Sequence, residues 1–157
     1  MSDVLALLQE FHREKLAALT RHEAGARLVG QYDANNTYQY IINRESTQLS
    51  WLEAAIRDLG GVVADSAPEV GPGGATAAAV FAEDARDART FLERWRPRVE
   101  ALNNARHRQM LRVVLGEVAE QQRFFEQAGA GRTDLLGRRG EEVGARVGSV
   151  MADRWIE

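Results

Sequence analysis

The chain has 157 residues, enough for one domain with a substantial core, and its 45% hydrophobic and 27% charged residues are typical of a globular protein rather than a disordered one. The net charge of -3 is small, and the absence of cysteine excludes disulfide bonds and thiolate metal sites. No apolar run approaches the roughly 18 residues of a membrane span, and the acidic start lacks the positive region of a signal peptide, so we expect a cytoplasmic protein with no membrane partner.

The first two predicted elements are long amphipathic helices. Helix 1 is predicted to cover about residues 2–29, with an apolar stripe that includes Leu16 and also Glu23, and Gly30 is predicted to end it. Residues 32–36 are predicted to supply turn and N-cap residues for helix 2, which ends at Gly60. So short a connection predicts that the two helices are antiparallel neighbours.

Helix 2 carries a carboxylate within its apolar stripe. The stripe consists of Tyr38, Ile42, Glu45, Leu49, Leu52, Ile56 and Leu59. Gln48 lies about one turn after Glu45 on the same side. A buried carboxylate is costly unless it is paired, hydrogen-bonded or bound to a metal. This stretch is therefore the main indication of a site.

The segment from Gly60 to Ala75 is rich in glycine and proline and has no helical period. Helix 2 should be about 35 Å long, and a linker of this size reaches roughly 50 Å when extended. It can therefore return along the whole bundle and start helix 3 parallel to helix 2. We prefer this long crossover to the alternative, a flexible loop that joins adjacent helix ends.

Helix 3 is predicted to start with Thr76 as its N-cap, and Pro97 ends it, kinks it or lies in the first turn of the next element. Its apolar face includes Asp84. Helix 4 is predicted to follow a cap at Asn103 or Asn104 and to end before Gly129. Two stripes remain open for it. One contains His107, Leu111, Val114, Val118, Gln122 and Phe125, and the other contains Met110, Val113, Glu117, Glu120 and Phe124.

The last segment, residues 131–157, is periodic but interrupted by glycine. We expect a short fifth helix that packs on the bundle or on a partner subunit. Gly140, Gly144 and Gly148 recur at every fourth position, which also suggests a dimer contact, although glycine weakens a helix.

Residues 2–128, with four amphipathic helices, a long central loop and the Glu45-x-x-Gln48 step, resemble the ferritin-like superfamily, and rubrerythrin-type domains in particular. The resemblance implies an all-α, ferritin-like four-helix bundle over residues 1–130. It also implies a di-iron centre, with Glu-x-x-His on helices 2 and 4 and a further glutamate on helices 1 and 3.

Carried over to this sequence, the ligand pattern is incomplete. The candidate metal ligands are Glu45, Asp84, Glu117 and Glu120. Gln48 stands where a histidine belongs, the first helix 4 stripe offers only Gln122 and Phe125, and helix 1 has no acid opposite Glu45. A neutral amide and a phenyl ring are poor iron ligands. We therefore expect Glu45 to bond Gln48, Tyr38 or Gln122, or to form an ion pair with Lys15.

Two other groups of residues are interpreted as structural. The histidines, His12, His22 and His107, are predicted to lie at the surface or its boundary rather than to bind a metal. Six arginines between residues 94 and 112 are predicted to point into solvent rather than to bind nucleic acid.

The preferred function is a non-catalytic or ligand-binding, homo-oligomeric module with a degenerate metal site and no cofactor. The alternative is a di-metal carboxylate oxidoreductase or ferroxidase that uses iron or manganese. A third possibility is a small apolar ligand held beside Tyr38, Phe91 and Phe125.

Overall fold

In the computed structural model, which describes residues 2–64 and 70–132, the chain forms four helices and, within those ranges, no strand. The helices are α1 (Ser2–Ala26), α2 (Tyr32–Asp58), α3 (Ala77–Glu100) and α4 (Ala105–Gly129). The all-α prediction is confirmed. The fifth helix was predicted within residues 131–157, and residues 133–157 lie outside the described part of the chain. None of the described helices is both long and apolar enough to cross a membrane.

The α1–α2 connection differs from its prediction. Helix α1 ends at Ala26, before Gly30, because the side chain of Asn35 donates to the carbonyl oxygens of Ala26 and Val29 at 3.0 Å each. The segment 32–36 is not a turn but the beginning of α2. Its cap is Gln31, whose side-chain oxygen accepts from a backbone N–H of the first turn at 2.7 Å. The predictions for Gly30 and for residues 32–36 are therefore wrong.

The other helix ends follow local signals in the sequence. Gly60 has a φ of 80°, a left-handed conformation that ends α2 and favours glycine. Thr76 caps α3 and Asn104 caps α4, each through its side-chain oxygen. Pro97 lies inside α3, one turn before its end. The predictions for Thr76, Asn104 and Gly60 are confirmed, whereas Pro97 neither ends α3 nor begins the next element.

The helices pack as two antiparallel hairpins, α1 with α2 and α3 with α4. Contacts between the hairpins set their relative direction. Tyr38, near the start of α2, bonds Asp84, near the start of α3, so these two helices begin at the same end of the bundle. Glu10, near the start of α1, pairs with Arg98 near the end of α3. The connection from α2 to α3 includes residues 65–69, which are not described, and the long crossover stays a prediction.

One apolar core runs through the four helices. On α1 the buried face follows positions 8, 11, 15, 19, 22 and 26. Lys15 and His22 therefore point inward, whereas Leu16 is only partly buried and Glu23 is exposed. The predicted stripe of α1 was thus wrong at Glu23, whereas Leu16 packs against the core from its edge. On α4 both predicted stripes contribute, since Val118 and Glu117 are both buried.

Candidate functional site

Three of the predicted metal ligands lie in three hydrogen-bonded groups of side chains within the bundle. The first group is Glu45 with Lys15 and His22, the second is Asp84 with Tyr38, and the third is Glu117 with Arg44 and Gln48. Each contains one of the predicted metal ligands. The fourth predicted ligand, Glu120, is half-buried and lies about one turn after Glu117 on α4.

Glu45 is fully buried on α2, and both of its carboxylate oxygens are bonded by residues of α1. The ammonium of Lys15 donates to Oε2 at 3.0 Å, and Nδ1 of His22 donates to Oε1 at 2.8 Å. Burial acts to raise the pKa of Glu45, but the positive charges of His22 and Lys15 and the hydrogen bonds from both outweigh it and lower the pKa to about 2. Glu45 is therefore a buried, ionised carboxylate.

The predicted ion pair with Lys15 is present, but the bond to His22 was not foreseen. His12 and His22 are only 1% and 5% exposed, so the prediction that they lie at the surface or its boundary is wrong. His12 contacts Glu53 at 3.1 Å, and His107 is half-buried. The missed signal is the inward stripe of α1, on which Lys15 and His22 lie two turns apart.

Asp84 forms the second group, at the end of the bundle where α2 and α3 begin. The Tyr38 hydroxyl donates to Oδ2 of Asp84 at 2.6 Å, while Oδ1 is buried without a hydrogen-bond partner. Burial raises the pKa of Asp84 above its usual value, against the opposing influence of His22 and of the Tyr38 hydrogen bond. Burial and the neighbouring Asp84 also raise the pKa of Tyr38, so the phenol keeps its proton.

Aromatic rings surround the second group. Tyr38 contacts Phe81, Phe124 and Phe125 with ring centroids 5.5 to 6.2 Å apart, and His22 lies 5.4 Å from Phe125. Tyr38 and Phe125 are fully packed in this cluster.

Glu117 forms the third group, between α2 and α4. The guanidinium of Arg44 donates to both of its oxygens, at 3.1 and 2.7 Å, and Gln48 donates to Oε1 at 2.7 Å. Gln48 thus stands at the histidine position of the Glu-x-x-His pattern, and its Nε2 donates a hydrogen bond to the carboxylate while its Oε1 is buried without a hydrogen-bond partner.

These residues fit a charge-compensated core better than a metal centre. Glu45 and Glu117 each have both oxygens engaged by donors of the chain itself, and Lys15 and Arg44 supply the positive charge that a metal would bring. Among the described residues, no group of three or more histidine, aspartate or glutamate side chains is arranged to hold a metal ion.

A cavity of about 210 Å³ opens between α1 and α3 and reaches α4. Its deepest lining residues are Lys15, His22, Val118 and Gln121, all of them buried. Phe91 forms part of a wall. The charged lining residues nearer the surface are paired, Arg21 with Asp87 at 2.9 Å and Arg94 with Glu14. The Lys15 ammonium is therefore shared between the Glu45 group and this cavity.

Beside the cavity, Glu10 and Glu14 of α1 face three side chains of α3. Glu14 accepts from the indole N–H of Trp95 at 2.9 Å, and Arg98 pairs with Glu10 at 2.8 Å. The guanidinium of Arg98 also lies 4.1 Å from the Trp95 ring. Arg94 and Arg98, two of the six arginines between residues 94 and 112, thus join α3 to α1 rather than pointing freely into solvent.

Comparison with models of protein families, with curated proteins and with solved structures finds no match for this chain.

Proposed function

We propose that this chain is a ferritin-like four-helix bundle that acts as a non-catalytic, ligand-binding and homo-oligomeric module, with an internal charge network where related bundles hold two metals. Helices α2 and α3 begin at the same end of the bundle, which supports the ferritin-like topology. The same argument supports the long crossover.

The observation that carries the proposal is the pairing of Glu45 with Lys15 and His22. A carboxylate that bridges two metals must leave its oxygens open to them. Here one oxygen accepts from an ammonium at 3.0 Å and the other from an imidazole at 2.8 Å, in a position that is 0% exposed. A metal ion beside Lys15 would meet a like charge in a medium of low dielectric constant, which is strongly unfavourable.

Ligand binding is supported by the cavity that adjoins this network. It combines a ring wall, Phe91, with buried polar side chains on its floor, which is the usual composition of small-molecule sites. The sequence suggested a ligand beside Tyr38, Phe91 and Phe125. Of these three rings only Phe91 lines the cavity, whereas Tyr38 and Phe125 lie in the packed aromatic cluster.

Metal analysis of the full chain, purified without chelator, tests the proposal. We expect less than one iron or manganese ion per ten chains, with no change in Glu45→Gln. The exposed Glu23→Gln on α1 is the matched control for nonspecific surface binding. About two ions per chain that are lost in Glu45→Gln but retained in Glu23→Gln would overturn the proposal and favour the di-metal oxidoreductase.

The proposal that the chain forms a homo-oligomer rests on the glycines that recur at every fourth position within residues 131–157. We expect the full chain to elute as a dimer and a chain ending at Gly131 to elute as a monomer, with mass measured by light scattering. The same number of chains per particle for both would show that the last segment has no part in assembly.

A further inference from the structure

The floor of the α1–α3 cavity offers hydrogen-bond donors that the described residues leave unused. Gln121 lines the cavity and is 1% exposed, yet its Nε2 has no hydrogen-bond partner. A buried amide N–H without a partner destabilises the folded state, because it has lost its hydrogen bonds to water. Such a group marks a place where a bound acceptor stabilises the protein.

Lys15 adds a second donor on the same floor. An ammonium has three N–H groups, and one of them donates to Glu45 on the side of α2. Lys15 is 2% exposed and also lines the cavity. Two donor groups, one of them charged, therefore adjoin the same cavity, and this combination selects a ligand that carries acceptor oxygens.

The size and the walls of the cavity define the rest of the ligand. A volume of about 210 Å³ exceeds the roughly 150 Å³ of an engineered cavity that binds benzene. Phe91, Ala88 and Val118 supply apolar surface, and Ala17 and Ala18 of α1 leave the opposite side open. A single ring with one small polar substituent fits these dimensions.

The charged side chains along the cavity are paired, Lys15 with Glu45, Arg21 with Asp87 and Arg94 with Glu14. The free hydrogen-bond donors on its floor, rather than an excess of charge, therefore decide which polar group the ligand carries.

We propose that this cavity binds a small aromatic monocarboxylate, with its carboxylate on Lys15 Nζ and Gln121 Nε2 and its ring against Phe91. The inference deepens the proposed function and rests on it, because it requires a charged Lys15 in a core that holds no metal. The carboxylate accepts from both donors and so satisfies the buried amide of Gln121, while the ring fills the apolar part of the cavity.

Titration calorimetry of the full chain tests this with benzoate as the probe and benzyl alcohol as its uncharged partner of nearly equal size. We expect saturable binding of one benzoate per chain and at least tenfold weaker binding of benzyl alcohol. Gln121→Leu, which removes the donor at similar volume, should weaken benzoate at least tenfold without loss of helix content measured by circular dichroism.

A second variant separates the cavity from the surface of α1. Ala18→Phe fills the cavity and should abolish benzoate binding, whereas Ala6→Phe, at an exposed position of the same helix, should leave it unchanged. No saturable binding of benzoate, equal affinity for benzyl alcohol, or unchanged affinity in both Gln121→Leu and Ala18→Phe would overturn the inference. If benzoate gives one of these results and metal analysis finds no metal in the protein, the proposed metal-free core is retained and only the proposed class of ligand is wrong.

Discussion

Replacement of Lys15 by methionine removes the positive charge from the centre of the bundle at nearly constant volume. It leaves the Glu45 carboxylate fully buried with His22 as its remaining partner. Removal of one partner of a buried ion pair lowers the free energy of unfolding by about 3–5 kcal/mol. Because the 2.8 Å bond from His22 to Glu45 survives, we expect Lys15→Met to lie at the lower end, about 3 kcal/mol. That is a large part of the stability of a domain of this size.

Urea unfolding followed by circular dichroism measures this loss, and a double-mutant cycle assigns it to the pair. Glu45→Leu alone leaves Lys15 buried without its anion, whereas Lys15→Met/Glu45→Leu removes both charges. We expect the double variant to lose much less stability than the two single losses combined, with a coupling energy of about 2 kcal/mol or more.

The matched control is Arg86→Met, because Arg86 pairs with Glu83 on the surface and surface pairs contribute little. Its unfolding midpoint should stay within error of that of the unmodified chain. The reasoning is refuted if Lys15→Met destabilises by less than about 1 kcal/mol, or if the two single effects simply add within about 0.5 kcal/mol.

Two further predictions concern pH and backbone conformation. The pKa of Glu45 is lowered from 4.5 to about 2 in the folded chain, so its contribution to stability is present above pH 4.5 and is lost as the pH falls to 2. The difference in unfolding free energy between the unmodified chain and Glu45→Gln should therefore shrink by about 3 kcal/mol over that range. A difference that stays constant with pH would contradict the lowered pKa of Glu45. Gly60→Ala should destabilise the chain by about 1 kcal/mol, because residue 60 has a left-handed backbone conformation. Gly116→Ala, in α4 with open space around its Cα, should stabilise the chain by about 0.5–1 kcal/mol. Chemical unfolding measures both changes, and shifts of the same sign would contradict these expectations.

The sequence predicted the helices well because most helix ends are encoded locally. Thr76, Asn104 and Gly60 each act through their own backbone or the next turn. The α1–α2 corner was mispredicted because its cap comes from Asn35, nine residues after the carbonyl of Ala26 that it bonds. A contact across a corner leaves no local signature.

The site was predicted in part. The pairing of Glu45 with Lys15 follows from antiparallel packing of α1 on α2 and is present. The burial of His22 depends on α3 and α4, which widen the covered face of α1, and a single stripe drawn on one helix cannot show this. The partner of Gln48 likewise lies 69 residues away on α4.

The Glu45 group at the centre of the molecule is formed wholly within the first hairpin. Lys15 and His22 lie 30 and 23 residues before Glu45, so their bonds form as soon as α1 meets α2. The bonds of Tyr38 to Asp84 and of Gln48 to Glu117 span 46 and 69 residues and require the second hairpin. During folding, the first hairpin therefore presents a Glu45 carboxylate that is already paired, whereas the Arg44–Glu117 ion pair forms only when the two halves dock.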